Sequence, residues 1–211
     1  MSIFQEISQN LQQGKAKNVK ALVQQALDEG ANAKDVLEKG LLDGMNVVGE
    51  KFKNNEVYVP DVLIAARAMN TGVEVLKPHL VASGVKSKGT VVIGTVKGDL
   101  HDIGKNLVKM MMEGKGLEVI DLGVDVSAEK FLAAAKEHNA QIIACSALLT
   151  TTMSEMENVV NAAKEQGIRD NIKIMVGGAP VTDNYCKKIG ADFYTADAAS
   201  AADVALNICE G

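Results

Sequence analysis

The chain has 211 residues, with 22 basic against 27 acidic side chains and a formal net charge of -5. Hydrophobic residues make up 47%, enough to bury the core of one large domain or two modest ones. Only 3% is aromatic, which excludes stacking platforms for single strands, and the acidic balance excludes a binder of phosphate backbones.

The cysteines Cys145, Cys186 and Cys209 are odd in number and never spaced as CxxC. Neither a disulfide framework nor a zinc knuckle is expected, and a reducing cytoplasm is the natural setting. Polar residues interrupt every apolar run of the N-terminus, so it does not read as a signal peptide. No apolar stretch is long enough to predict a membrane span.

Residues 1 to about 80 are helical by period. A short helix is expected from Ile3 to Leu11. Val19, Leu22, Val23, Ala26 and Leu27 share one stripe that Gly30 stops. Val36, Leu37, Leu41, Met45, Val48 and Phe52 make a second stripe. Pro60 and Asp61 suit the first turn of a further helix, which continues through Val62, Ala66, Met69, Val73 and Leu76 and is expected to end at Pro78. Together these predict a four-helix bundle. The polar stretch 82–89 is the best candidate for a linker.

From Thr90 the pattern becomes alternating. Strands are expected at Thr90–Thr95, Leu117–Leu122, Gln141–Ser146, Lys173–Val176 and Asp192–Thr195. Helices are expected near 103–114, 127–138, 152–166, 181–189 and 198–209. Five βα units with apolar strands predict an α/β fold, an open, doubly wound, five-stranded parallel sheet of Rossmann-like or flavodoxin-like type. Such sheets bind ligands outside the carboxyl ends of their strands.

The residues just after each strand therefore matter most. After the first comes Gly94-Thr-Val-Lys-Gly98-Asp99-Leu100-His101-Asp102-Ile103-Gly104. It is neither a P-loop nor a dinucleotide fingerprint. His101 reads either as a surface loop histidine or as a metal ligand whose other nitrogen is held by Asp99. No His, Cys or carboxylate cluster completes a zinc site, so such a metal would arrive already chelated, as in a tetrapyrrole.

After the third strand, Thr150, Thr151 or Thr152 is expected to cap a helix, with Glu155 forming a capping box with Thr152. After the fourth, Gly177 and Gly178 make either a simple turn or a surface on which a bulky ligand can lie. After the fifth, Tyr194, Ala196, Asp197 and Ala198 lead into a helix N-terminus, which can accept a phosphate.

Asp99-x-His101-x-x-Gly104, then 41 residues to Ser146-x-Leu148, then 28 residues to Gly177-Gly178, is similar to the cobalamin-binding signature of B12-dependent methyltransferases and mutases. The helical region resembles the cap of the methyltransferase branch through Val48-Gly-Glu-Lys-Phe52, Tyr58-Val-Pro-Asp61 and Ala65-Ala-Arg-Ala-Met69, and the chain is similar to the B12-binding domains of methionine synthase. The best likeness is to the small corrinoid proteins of systems acting on methanol, methylamines or aryl methyl ethers.

The resemblance implies a cap in residues 1–88, with Val59 and Met69 over the upper face of a cobalamin or related corrinoid, and a cofactor-binding domain in 89–211. It implies His101 as lower axial ligand of cobalt and a relay of Asp99, His101 and Thr152. Gly98, Leu100, Asp102, Ile103, Ser146, Leu148, Thr150, Met153, Gly177, Gly178, Ala179 and the segment Tyr194–Ala198 would line the cofactor. The cofactor would cycle between methylcob(III)alamin and cob(I)alamin. The carrier would serve a substrate-specific methyltransferase, a second methyltransferase acting on tetrahydrofolate or a thiol, and a reductive activase. Nothing resembles a substrate site of its own, and neither nucleic acid nor membrane is expected as a partner.

Three alternatives stand beside this one. A B12 sensor shares both regions but usually adds a DNA-binding domain. A mutase subunit needs no such cap. A flavodoxin-like carrier without cobalt leaves the three motifs unexplained.

Overall fold

The computed structural model describes residues 1–84 and 86–211. Val85, inside the expected linker, lies outside the described residues. The chain forms two compact units, residues 1–87 with 114–116 and residues 88–113 with 117–211.

The first unit is four helical rods. α1 (Ile3–Gln12) opens with a reciprocal cap, in which Gln5 N–H donates to Ser2 Oγ at 3.3 Å and Ser2 N–H to Gln5 Oε1 at 3.0 Å. It buries Ile7 and Leu11, and α2 (Ala16–Asp28) buries Val19, Val23 and Ala26. The third rod is continuous: α3 (Ala33–Asp35), a π-helical stretch Val36–Leu42 and α4 (Asp43–Lys53). Val36 and Leu41 are both fully buried. Their five-residue spacing matches the π repeat, whose hydrogen bonds span five residues. Gly44 of this rod lies against α1, where an added Cβ would sit 3.1 Å from the backbone of Ser8.

α5 (Val59–Ala82) begins where Tyr58 N–H donates to Asp61 Oδ2 at 2.9 Å, with Pro60 in the first turn. It does not end at Pro78 as the sequence suggests. Pro78 lies inside the helix, which runs on to Ala82. So near the end the ring removes a single backbone donor, and the following turn closes through Ser83 N–H to the His79 carbonyl at 3.0 Å.

The second unit is a parallel five-stranded sheet in the order β2-β1-β3-β4-β5. Its strands are β1 (Thr90–Thr95), β2 (Glu118–Asp121), β3 (Ile142–Ser146), β4 (Lys173–Gly177) and β5 (Phe193–Tyr194). The central strands β1, β3 and β4 are the continuous apolar runs, and both edge strands are half-exposed. α6 (Ile103–Gly114) follows β1. α7 (Ala128–Glu137), α8 (Ser154–Glu165) and α9 (Asp183–Ile189) cover one face over a core around Phe131, Leu132, Ile143 and Met156. α10 (Ala198–Glu210) ends the chain. β1 and β3 are neighbours, and their crossovers leave in opposite directions along the sheet. That reversal opens a crevice between the loops after them.

Candidate functional site

Asp99 sits at this reversal and is wholly buried. Its Oδ1 accepts from the His101 backbone N–H at 3.1 Å and lies 2.7 Å from His101 Nδ1. Its Oδ2 accepts from the N–H groups of Leu148 at 2.8 Å and Leu149 at 3.1 Å, and from Thr152 Oγ1 at 2.9 Å. Burial pushes the carboxyl up. The bonds from His101, Leu148 and Leu149 outweigh it and hold Asp99 well below the usual carboxylate range. The carboxylate is therefore ionised at neutral pH and can only accept. The proton of the neutral imidazole resides on Nδ1, and Nε2 carries the free lone pair. Nε2 makes no hydrogen bond among the described residues, and the imidazole is half-exposed.

The main chain of His101 is also held. Thr95, fully buried at the end of β1, donates its hydroxyl to the His101 carbonyl at 2.8 Å. Sequence reading missed Thr95, although a threonine closing a buried strand six residues before the histidine is a usable signal. Around it, Gly98 has a φ of 79° and Asp102 accepts from Asn106 Nδ2 at 3.1 Å. Leu100 and Ile103 are 71% and 76% exposed, an unusual fate for large apolar side chains beside a fully buried carboxylate.

The loop after β3 departs from its expected cap. α8 starts at Ser154 after a turn, with Met153 at the cap position and no side-chain cap bond. The Thr152 hydroxyl lies 2.9 Å from both Asp99 Oδ2 and the Leu149 carbonyl. The buried carboxylate wins the hydroxyl because it is the stronger acceptor. Ser146 is half-buried beside Gly177 in register, Leu148 and Thr150 are exposed, and the Met153 carbonyl accepts from Tyr185 Oη at 2.6 Å.

The two glycines after β4 differ. At Gly177 an added Cβ would meet nothing within 4 Å. At Gly178, with a φ of 131°, it would run into the Ala147 carbonyl. Gly178 is thus required by backbone packing, whereas Gly177 borders open space; Ala179 beyond them is exposed. Tyr194 is half-buried opposite Val176, and Ala196 is exposed. Asp197 caps α10, accepting from Ser200 N–H at 2.8 Å. It places a negative charge where a terminus open to phosphate was expected, and Ala198 is buried behind it. Among the described residues no hydrogen bond joins this segment to Asp99. In the helical unit Val59 is half-buried, and Met69 is only 4% exposed, which leaves it little surface to present.

The crevice thus gathers Asp99, His101, Leu148 and Thr152. Among the described residues no group of three His, Cys, Asp or Glu side chains could hold a bare metal ion. A single free imidazole nitrogen suits a metal whose other ligands come with it. The exposed Leu100, Ile103, Leu148 and Leu149, with open space at Gly104 and Gly177, suit a broad apolar ring and its tail. The residues present therefore fit a corrinoid. No helix among the described residues is long and apolar enough to cross a membrane.

Two B12 binding domain models match the chain, at residues 89–206 and at residues 3–77. The chain is 41% identical over 211 residues to a corrinoid protein of Desulfitobacterium hafniense, covering 99% of this chain and 98% of that one. It is 50% identical over 175 residues to a trimethylamine corrinoid protein of Methanosarcina acetivorans, covering 82% and 81%. Its fold is similar to that in the crystal structure of the methanol:cobalamin methyltransferase complex from Methanosarcina barkeri. The TM-score is 0.89 and the identity 33%, over 99% of this chain and 80% of that one. The chain therefore belongs to the B12-binding corrinoid proteins, and a corrinoid is its cofactor.

Proposed function

We propose that this protein is a methyl carrier that binds its corrinoid with His101 as the lower axial ligand, in place of the cofactor's own base. One observation carries the reading: a half-exposed imidazole whose Nδ1 is tied at 2.7 Å to a buried, fully bonded carboxylate, with Nε2 left free at the crevice. When bound, the corrinoid supplies a cobalt centre able to hold and give up a methyl group.

Asp99 keeps the proton on Nδ1 and fixes the ring, and Thr152 holds Asp99 from the other side of the crevice. Ser146, Leu148, Thr150 and Met153, with Gly98, Leu100, Asp102, Ile103 and Gly104, form the rim on the β1 and β3 side. Gly177, Gly178, Ala179 and the segment Tyr194–Ala198 form the rim on the β4 and β5 side. The helical region 1–88 is assigned the shielding of the cofactor's upper face, supported by the second B12 binding domain match. The partners are a substrate-specific methyltransferase, an acceptor methyltransferase acting on tetrahydrofolate or a thiol, and a reductive activase. Relatives named for trimethylamine and dimethylamine support an amine system.

The test replaces His101 with Ala and records the visible spectrum of the chain reconstituted with methylcobalamin. A shifted spectrum is expected, and an unchanged one would remove His101 from the cobalt.

A further inference from the structure

Asp125 lies between β2 and α7, outside all three sequence motifs. Its φ is 54°, in the left-handed region, which few non-glycine residues adopt and aspartate more readily than most. Two hydrogen bonds to one neighbouring turn hold it there. The Asp125 N–H donates to the Asp99 carbonyl at 3.0 Å, and Asp125 Oδ1 accepts from the Gly98 N–H at 2.8 Å.

Both partners belong to the turn that presents His101. The grip continues a pairing that runs past the sheet: Thr95 N–H donates to the Gly123 carbonyl at 2.9 Å, and Val126 N–H to the Thr95 carbonyl at 3.0 Å. Asp125 itself is exposed. Its bonds therefore do not serve to satisfy a buried carboxylate. What they constrain is the main chain on either side of the Gly98–Asp99 peptide, and Gly98 is itself left-handed at 79°.

We infer that Asp125 is a positioning residue, which clamps the Gly98–Asp99 main chain so that the imidazole of His101 stays aimed at the cobalt. The role rests on the reading of His101 as axial ligand. Thr95 holds the carbonyl of His101 from beneath, and Asp125 holds the turn from the side.

The test compares the full-length protein with D125G, D125N and H101A, each loaded with cob(II)alamin and studied by electron paramagnetic resonance. Histidine labelled with the spin-one-half nitrogen isotope separates a protein nitrogen from the cofactor's own base. Glycine adopts the left-handed turn without steric cost, so D125G removes only the carboxylate. Asparagine tolerates the same turn and keeps an acceptor oxygen.

In D125G, the share of cobalt split by a histidine nitrogen is expected to fall. The affinity for cob(II)alamin is expected to weaken about tenfold, the lower end for losing an outer-shell partner. D125N is expected to restore both, and unloaded D125G to melt close to the parent. Wild-type splitting and affinity in D125G would overturn the role. So would a D125G chain that no longer folds, because the residue would then be structural. H101A must lose the histidine splitting; if it keeps it, the axial assignment fails. If H101A loses the splitting and D125G keeps it, only the role of Asp125 falls.

Discussion

His101 Nδ1 and Asp99 Oδ1 are 2.7 Å apart, and the pair straddles the protein's surface: the carboxylate is wholly buried while the imidazole is half-exposed. The charge that orients the ring is thus kept from solvent, and the free Nε2 is offered to it. In water such a pair would be screened and mobile. Here five donors lock the carboxylate, so the ring inherits the rigidity of the sheet.

That arrangement makes Asp99 a residue of stability as well as of the proposed cobalt ligation. Asp99→Asn removes the charge and turns one oxygen into a donor facing buried N–H groups. A loss of about 3 kcal/mol is expected, the scale of bonds to a charged group left unmade. Thr152→Val should cost about 1 kcal/mol and Thr152→Ser much less, because serine keeps the hydroxyl. Urea unfolding of the three cofactor-free variants measures this, and an Asp99→Asn chain as stable as the parent would contradict it.

The two glycines after β4 should part company. Gly178→Ala forces a Cβ into the Ala147 carbonyl at a positive φ, and should destabilise the unloaded protein by about 3 kcal/mol or more. Gly177→Ala meets no protein atom, so its melt should stay within about 1 kcal/mol of the parent while cobalamin binding weakens. Thermal melts paired with a cobalamin titration decide it. Equal melting losses at both positions would refute the distinction.

A third expectation concerns pH. Lys105 is almost fully buried, and its ammonium lies 2.7 Å from Asp121 Oδ1 at the end of β2. Burial pushes Asp121 up. The hydrogen bonds from Lys105 and the Gly123 N–H, with the charges of Lys105 and Lys109, outweigh it and hold its carboxyl below the ordinary value. A carboxyl depressed by folding contributes stability that is fully present above its unfolded pKa of about 3.9 and is lost as pH falls through the lower folded value. Asp121→Asn should therefore cost about 3 kcal/mol at pH 7, the low end for breaking a buried pair. The gap between variant and parent should narrow below about pH 4. Unfolding curves across pH test the sign, and a gap that widened in acid would reverse it.

Much of this was legible in the sequence because it is periodic or local. The apolar runs of β1, β3 and β4 and the Asp99-x-His101 spacing each show within a few residues. Other features depend on tertiary structure. Thr152 carries a cap pattern, yet its hydroxyl turned to a carboxylate 53 residues away that no local rule weighs. Pro78 has the look of a helix end, yet α5 runs one turn past it, because so close to the terminus its ring removes only one backbone donor. Asp125 has no local mark at all, since a left-handed aspartate is set by its partners. Leu37, Leu41 and Met45 keep an α spacing, so the stripe read from the sequence does not mark the π-helical stretch Val36–Leu42.

The taper of the sheet has a consequence for the protein in a crowded solution. β5 has 2 residues and β2 has 4, against 5 or 6 in the strands between them. An edge that short offers too few free backbone groups for another chain to add a strand. β2 also begins with an exposed charged residue, Glu118, of the kind that blunts sheet edges. In a crowded solution such edges are poor templates for pairing with another chain.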